Sequence, residues 1–166
     1  MIIETERLYL YPLKPDELIL WYTDINTLEK KLDIKYDADE ITGVFKDIIK
    51  SQSDITLHDK QNYVWHTFWL IITKTDRIAV GSADFKDIPD KNGEVEIGYG
   101  LGEKHTKKGY MTEAVRAMCK WAFESALVKS IVAETETDNE PSKRLLTRCG
   151  FKKYLEGETL WWRLNK

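Results

Sequence analysis

The stretch "EIGYGLGEKHTKKGYMTEA", residues Glu96–Ala114, links a strand pattern to a helix pattern through a short basic loop. The strand part ends among glycines, the loop carries Lys104, Lys107 and Lys108, and apolar residues recur at helical spacing after Gly109. A helix N-terminus exposes unpaired N–H groups and about half a positive charge, so it attracts anions such as phosphate. The stretch therefore predicts a phosphate-bearing ligand at a helix N-terminus. A solvated basic turn is the alternative interpretation.

The residues before this stretch form period-two patterns that indicate antiparallel strands. Leu8, Leu10 and Pro12 share one face of a strand in "ERLYLYPL". The β-branched and aromatic runs "TFWLIIT" and "RIAVGSADF" flank the polar turn "KTD", which predicts a hairpin. A second turn, "PDKNG", leads into the strand that opens the quoted stretch, in which apolar and polar positions again alternate.

Helical patterns lie between the first strand and the hairpin. The segments "KPDELILWYTD" and "INTLEKKLDI" predict two short helices. Asp37, followed three residues later by Glu40, resembles a capping box and predicts the start of a third helix. The apolar stripe expected on that helix consists of Ile41, Val44, Phe45, Ile48 and Ile49.

The residues after Gly109 predict a helix, a strand "SIVAET" and a second helix "NEPSKRLLTRCG", with Pro141 near its start and Gly150 at its end. The strands "FKKYL" and "TLWWRL" close the chain. This order predicts a single α+β domain over residues 1–166, a mostly antiparallel twisted sheet of about seven strands flanked by helices. The helix that follows Gly109 is expected to bury Met111, Ala114, Val115, Met118, Cys119 and Ala122.

Composition excludes several classes of protein. The chain has 166 residues, 42% of them hydrophobic and 32% charged, which suits one globular domain. A net charge of -3 argues against a nucleic-acid or anionic-membrane partner, and no apolar run approaches the ~18 residues of a membrane span. Cys119 and Cys149 are expected to be buried free thiols in a reducing, cytoplasmic setting, and three dispersed histidines predict no metal site. Four tryptophans in strand patterns are expected to pack the sheet: Trp65, Trp69, Trp161 and Trp162.

Four motifs in order resemble the GNAT superfamily of acyl-CoA-dependent N-acyltransferases, in the branch of the ribosomal-protein N-terminal acetyltransferases. "ETERLYLYPL" is similar to that branch's first strand and "EIGYGL" to its fourth. "KKGYMTEA" resembles its pyrophosphate loop and helix, and "NEPSKRLLTRCGF" its N-x-x-S helix. The family loop begins with Gln or Arg, usually followed by Gly, where this chain has Thr106 and Lys107, whereas Gly109 matches strictly. Lys107 must therefore supply its backbone N–H without glycine's freedom at positive φ.

The resemblance implies that acetyl-CoA is the acyl donor. Its pantetheine arm would lie beside the fourth strand, and its thioester would point into a gap where the fourth and fifth strands splay apart. Trp21 and Tyr22, with the Ile41–Ile49 helix, would wall the acceptor side. The residues implied in CoA binding are Tyr99, Leu101, Thr106, Lys107, Lys108, Gly109, Tyr110, Met111, Thr112, Asn139 and Ser142.

Glu96 is the predicted general base. It shares a strand face with Glu94 and Gly98, and this spacing directs it toward the expected gap. An acceptor amine with a pKa of about 8 to 10.4 is mostly protonated at neutral pH, so a group must take up that proton, directly or through water. A cross-strand salt bridge or a solvated strand face is the structural alternative for Glu96.

Ser142 is the predicted donor to the leaving thiolate. Many relatives use a tyrosine four residues before the glycine of the Gly-Phe pair, and Leu146 occupies that position here. The resemblance makes Ser142 the substitute, with Asn139 as a CoA-contacting side chain. The structural alternative for Asn139 and Ser142 is an ordinary helix N-terminal cap.

The sequence thus predicts an acetyl-CoA-dependent N-acetyltransferase that acts by direct attack in a ternary complex. The acceptor is a primary amine on a peptide N-terminus or a small molecule, and a homodimer is one candidate assembly. A non-catalytic acyl-CoA-binding or sensing module is the alternative function. A dinucleotide-binding enzyme is excluded, because no G-x-G-x-x-G follows an early strand.

Overall fold

The computed structural model describes residues 1–166 as one mixed sheet with helices on both faces. The strands are β1 (Ile3–Glu4), β2 (Leu8–Pro12), β3 (Lys35–Tyr36), β4 (Phe68–Thr73), β5 (Ile78–Phe85), β6 (Glu94–Leu101), β7 (Ser130–Glu136), β8 (Lys152–Glu156) and β9 (Thr159–Asn165). The helices are α1 (Pro15–Thr23), α2 (Ile25–Leu32), α3 (Gly43–His58), α4 (Tyr63–His66), α5 (Tyr110–Glu124) and α6 (Glu140–Arg148), with one 3-10 turn at Glu103–His105.

The sheet has the order β1-β2-β4-β5-β6-β7-β9-β8, with β3 beside β5. Every neighbouring pair is antiparallel except β6–β7 and β3–β5, which are parallel. Seven strands have five or more residues, and β1 and β3 add two residues each. The prediction of a mostly antiparallel sheet of about seven strands between helices is confirmed.

The sheet opens between β6 and β7. These strands pair only where Glu94–Glu96 faces Ser130–Val132, whereas residues Ile97–Leu101 of β6 pair with β5 alone. The backbone edge of β6 beyond Glu96 therefore has no strand beside it. β6 and β7 are the strands predicted above as the fourth and fifth, so the predicted splay between those two strands is confirmed.

Two apolar cores lie on opposite faces of the sheet. The larger core is covered by α5 and α6, and all six residues predicted for the inner face of α5 are buried in it. The smaller core lies under α1, α2 and α3, where Trp21 meets Phe45 edge-on at a centroid distance of 5.8 Å and Phe68 at a tilt at 5.4 Å. None of the helices combines the length and apolarity that a bilayer crossing requires.

The predicted capping box at Asp37 and Glu40 is wrong. The N-cap of helix α3 is Thr42, five residues later than the predicted N-cap Asp37, and it has no side-chain cap. The Asp37 carboxylate instead pairs with His105 Nε2 at 2.9 Å, a contact with a residue 68 positions away. A local pattern was outweighed here by a tertiary contact that the sequence spacing does not show.

The predicted apolar stripe on α3 is only partly correct. Ile49 is buried and Ile41 and Phe45 pack on the smaller core, but Val44 is 76% exposed and Ile48 42% exposed. The inner side of α3 continues instead with the polar residues Gln52, Ser53 and Thr56. The Gln52 amide donates to the backbone carbonyls of His66 and Lys86, so hydrogen bonding takes the place of apolar contact.

Two smaller predictions need adjustment. Trp65 lies in the short helix α4 rather than in a strand, although it still packs on the sheet through Phe85 of β5, 5.2 Å away between centroids. Cys119 and Cys149 are both free, as predicted, but only Cys119 is fully buried. Trp21 belongs to the smaller core and lies outside the groove described below.

Candidate active site

A groove of about 1530 Å³ runs from the gap between β6 and β7 to the first turns of α5 and α6. Among the residues predicted for catalysis or CoA binding, only Lys108 is absent from its lining. The predicted residues that the groove brings together are Glu96, Tyr99, Leu101, Thr106, Lys107, Gly109, Tyr110, Met111, Thr112, Asn139 and Ser142. They come from β6, from the loop before α5, from α5 itself and from the start of α6, and the fold brings these segments together.

The loop before α5 has the backbone shape that its glycine suggests. Gly109 has φ +80° and forms the N-cap of α5, and Lys107 has φ +64°, in the left-handed region that glycine normally occupies. The first bonded amide of α5 is Glu113 N–H, which donates to Gly109 O at 3.1 Å. The preceding N–H groups, those of Tyr110, Met111 and Thr112, lie at the groove and are the ones that a helix leaves unpaired.

The strain at Lys107 leads to a testable difference between two substitutions. Lys107→Gly and Lys107→Ala remove the same ammonium, but alanine in the left-handed conformation costs about 1 kcal/mol and glycine does not. We expect Lys107→Ala to have a lower free energy of unfolding than Lys107→Gly, measured by urea denaturation. Equal stabilities would mean that the loop does not hold this conformation in solution.

Arg7 contacts both the loop and the first turn of α5. Its guanidinium donates to Lys108 O at 2.8 Å and to a Glu113 carboxylate oxygen at 2.7 Å, and it lies 4.8 Å over the Tyr110 ring. Burial tends to raise the pKa of Glu113, but hydrogen bonds from Thr5 and Arg7 outweigh this and lower it. The alternation of the first strand places Arg7 on the face opposite Leu8 and Leu10 and does not predict this role.

Four further positively charged side chains on α5 and α6 line the groove. None of the four was predicted from the sequence. They recur four residues apart on each helix, a spacing that places them on one face and could have revealed them. Arg116 also donates to Arg148 O at 2.8 Å, which joins the two helices. The four residues are Arg116, Lys120, Arg144 and Arg148.

The start of α6 meets β6 through two hydroxyl groups. Tyr99 Oη and Ser142 Oγ are 2.5 Å apart, and Ser142 N–H donates to Asn139 Oδ1 at 3.2 Å. Burial raises the pKa of Tyr99 to about 12, although the hydrogen bond with Ser142 opposes the rise. Asn139 therefore caps the helix, while the Ser142 hydroxyl is engaged elsewhere. Leu146, at the position where relatives have tyrosine, is fully buried.

Glu96 lies where β6 parts from β7. It is the last β6 residue paired with β7, its side chain is half-buried, and it takes part in none of the salt bridges. Burial raises its pKa, the Lys86 charge lowers it, and Glu134 and Asp84 raise it further. Glu94 makes the salt bridge that was the alternative for Glu96, accepting from Arg163 Nη2 at 2.9 Å. The Glu96 side chain thus lies unpaired at the point where the two strands separate.

A family model for the acetyltransferase (GNAT) domain matches residues 7–152 of this chain. The chain belongs to the GNAT acetyltransferase family. The resemblance predicted from its motifs is confirmed, and the family's enzymes transfer acetyl groups from acetyl-CoA.

Two relatives illustrate the sequence similarity. The uncharacterized N-acetyltransferase p20 of Bacillus licheniformis is 35% identical over 108 residues, which make up 65% of this chain and 58% of p20. The ribosomal-protein-serine acetyltransferase of Escherichia coli is 29% identical over 106 residues, 64% of this chain and 55% of that protein. The chain thus aligns with little more than half the length of either relative.

Solved structures share the fold over nearly the whole chain. An acetyltransferase of Salmonella typhimurium that modifies the N-terminal serine of a 50S ribosomal protein superimposes with a TM-score of 0.69 at 18% identity, covering 100% of this chain and 99% of that one. The microcin C7 self-immunity acetyltransferase, solved with acetyl-CoA and AMP, gives 0.66 at 24% identity, covering 98% and 94%. At these identities the likeness concerns the fold alone.

Proposed function

We propose that this protein transfers the acetyl group of acetyl-CoA to a primary amine by direct attack in a ternary complex. One observation carries the proposal: a single groove runs from Gly109 to Glu96. Gly109 is the N-terminus of α5, called the helix mouth below, and Glu96 lies where β6 and β7 stop pairing, called the fork below. A phosphate-binding end, an unpaired strand edge and a carboxylate of raised pKa thus follow one another in the order that acetyl-CoA and an amine would need.

The groove offers a separate partner for each part of acetyl-CoA. The pyrophosphate fits the unpaired N–H groups at the start of α5, where the helix dipole and Lys107 add positive charge. The positively charged side chains of α5 and α6 can pair with the phosphate on the ribose of acetyl-CoA. The pantetheine amides can bond to the free edge of β6 between Ile97 and Leu101, as an added strand would.

The chemistry then falls to groups at the fork. Glu96 takes the proton of the acceptor ammonium, and the neutral amine attacks the thioester carbonyl. The developing oxyanion can accept a hydrogen bond from the N–H of Tyr99, which the alternation of the antiparallel ladder turns away from β5. Ser142, with Tyr99 behind it, donates a hydrogen bond to the departing thiolate.

We infer that a peptide or protein N-terminus is the first acceptor class to examine. The Escherichia coli relative acts on a ribosomal protein, and the Salmonella structural neighbour modifies an N-terminal serine. The α-amino group has a pKa of about 8 and gives up its proton more readily than a lysine side chain, with a pKa of about 10.4.

Release of the free CoA thiol tests the proposal directly. The full chain is mixed with acetyl-CoA and, separately, with ribosomal N-terminal peptides, polyamines and aminoglycosides. Amine-dependent thiol release above the background without protein is the expected result. Acetyl-CoA binding without thiol release for any amine would instead support a non-catalytic acyl-CoA sensor.

The positive charge at the loop gives a binding prediction. Lys107→Glu/Lys108→Glu is expected to weaken acetyl-CoA binding by roughly 10-fold at low salt, because each exposed charge interaction contributes about 0.2–1 kcal/mol. Lys107 should account for most of the loss, since Lys108 does not line the groove. Lys104→Glu is the matched control, because Lys104 lies in the same segment outside the lining.

Isothermal titration calorimetry at two salt concentrations measures this loss. The difference between wild type and the double variant should shrink as added salt screens the charges. Unchanged affinity in the double variant would show that the backbone N–H groups hold the pyrophosphate without help from these side chains.

A further inference from the structure

A primary amine of the chain itself lies at the fork of the groove. Lys86 follows β5 directly opposite Glu96, and its backbone N–H donates to Glu96 O at 3.0 Å. Its side chain turns back over Gly98, so that a Cβ atom at Gly98 would lie only 2.7 Å from Lys86 Nζ. The glycine therefore leaves the space that this ammonium occupies, and Lys86 belongs to the groove lining.

The ammonium sits beside an unusual carboxylate. Lys86 Nζ is 3.3 Å from Asp84 Oδ2, and Asp84 is only 2% exposed. The Oδ2 atom has no hydrogen-bond partner, so the ion pair with Lys86 is its polar contact. Burial raises the pKa of Asp84, and the Lys86 charge opposes that rise.

We propose that Lys86 Nζ is an internal acceptor, which the protein acetylates from its own bound acetyl-CoA. The proposal rests on the proposed function, because it needs the thioester to lie at Gly98 and Tyr99 on the free edge of β6. With the donor there, Lys86 is the chain's own amine that adjoins the acetyl group. Lys107 and Lys120 also line the groove, but they lie at the loop and on α5.

The proton balance favours this site. The first proton of the Lys86 ammonium passes to Asp84, and both groups become neutral, which relieves the cost of holding a carboxylate in a dry position. The nitrogen lone pair then forms the N–C bond, and the C–S bond breaks with its electron pair leaving on sulfur. The second nitrogen proton passes through Glu96 to the thiolate. The products are acetyl-lysine, protonated Asp84 and free CoA.

The test compares two lysines of similar exposure within one molecule. Lys31 is 39% exposed, lies 3.5 Å from the buried Glu17 and also pairs with Asp16, whereas Lys86 is 44% exposed and lies 3.3 Å from the buried Asp84. The ratio of the two labelling rates is therefore read together with the dependence of the Lys86 rate on protein concentration. Lys31 lies outside the groove. The full chain is incubated with deuterated acetyl-CoA and no added amine, and labelling of each lysine is followed by peptide mass spectrometry.

We expect Lys86 to be labelled at least about 10-fold faster than Lys31, because a bound donor makes the reaction unimolecular. Its rate should not change with protein concentration at saturating acetyl-CoA. Lys86→Arg keeps the positive charge beside Asp84, so it should retain the acetyl-CoA affinity and lose the label. Equal labelling of Lys86 and Lys31, or a rate that rises with protein concentration, would overturn the proposal.

Failure of this inference is distinguishable from failure of the proposed function. Calorimetric binding of acetyl-CoA and thiol release with external amines are measured on the same preparation. An unlabelled Lys86 in a protein that does both would overturn only the internal acceptor. A protein that binds no acetyl-CoA would overturn the proposed function and the internal acceptor together.

Discussion

Glu96→Gln is expected to lower turnover by ~100-fold at neutral pH, with acetyl-CoA affinity nearly unchanged. Glutamine keeps the shape of the side chain and removes its ability to accept a proton. Glu96 lies at the fork of β6 and β7, away from the helix mouth at Gly109, so the variant should bind the donor normally. Steady-state kinetics with a responsive amine, together with calorimetry, separate the two effects.

The pH dependence gives a second signature of the same residue. Burial raises the pKa of Glu96, so wild-type turnover should fall as the pH drops through that raised pKa and the carboxyl becomes protonated. The variant lacks this group and depends on the fraction of neutral amine alone. Raising the pH should therefore partly restore its turnover, because more of the acceptor is deprotonated without help.

Stability measurements exclude a merely structural effect of the substitution. A carboxyl whose pKa is higher in the folded than in the unfolded state destabilises the fold once the pH exceeds the unfolded value. Glu96 is in this situation at neutral pH, so Glu96→Gln should keep or raise the thermal midpoint. Glu94→Gln is the matched control: it breaks the salt bridge to Arg163 and should cost stability rather than turnover.

Wild-type turnover of Glu96→Gln between about pH 6 and 9 would eliminate Glu96 as the base. Attention would then move to an ordered water held by backbone carbonyls. A loss that higher pH does not repair, together with a lowered thermal midpoint, would identify Glu96 as a structural residue.

Periodicity predicted the parts of the fold that local burial controls. The inner face of α5 was predicted completely, because six apolar residues at helical spacing leave one way to bury them against a sheet. The alternation of β6 placed Glu96 and Gly98 on the face away from Val95 and Ile97 for the same reason. The splay of β6 from β7 came only through the resemblance, since pairing between parallel strands leaves no local pattern.

The missed features are contacts between distant segments. Arg7 reaches Glu113, 106 positions away, and Asp37 reaches His105, so neither partner can be predicted from nearby spacing. Lys86 follows the end of β5, and no strand pattern shows that Gly98 leaves room for its ammonium. Long charged side chains fold back over neighbouring strands in ways that a one-dimensional pattern does not record.

The pair formed by Tyr99 and Ser142 is the most consequential of these contacts for the proposed mechanism, because we expect it to provide the donor at the start of α6 where Leu146 replaces the usual tyrosine. With its pKa raised to about 12, Tyr99 stays protonated at neutral pH. A thiol has a pKa of about 8.5, so in the proposed mechanism we expect the phenol to stabilise the thiolate by hydrogen bonding through Ser142 and to keep its own proton. The two hydroxyls should therefore act as one unit.

Ser142→Ala is expected to lower turnover by about 10- to 100-fold, since a hydrogen bond to a charged group contributes about 1.5–3 kcal/mol. Tyr99→Phe loses only the supporting neutral bond and should cost less than ~10-fold. Because Tyr99 acts through Ser142, the double variant should be no slower than Ser142→Ala alone, measured at saturating acetyl-CoA. If the losses in turnover of the two single variants multiply in the double variant, the relay is contradicted and the two hydroxyls act independently.

Asn139→Ala is the control, since it removes the helix cap, worth about 1 kcal/mol of stability, and leaves both hydroxyls in place. If it slows turnover as much as Ser142→Ala does, the loss in the serine variant comes from the position of α6 and not from its hydroxyl.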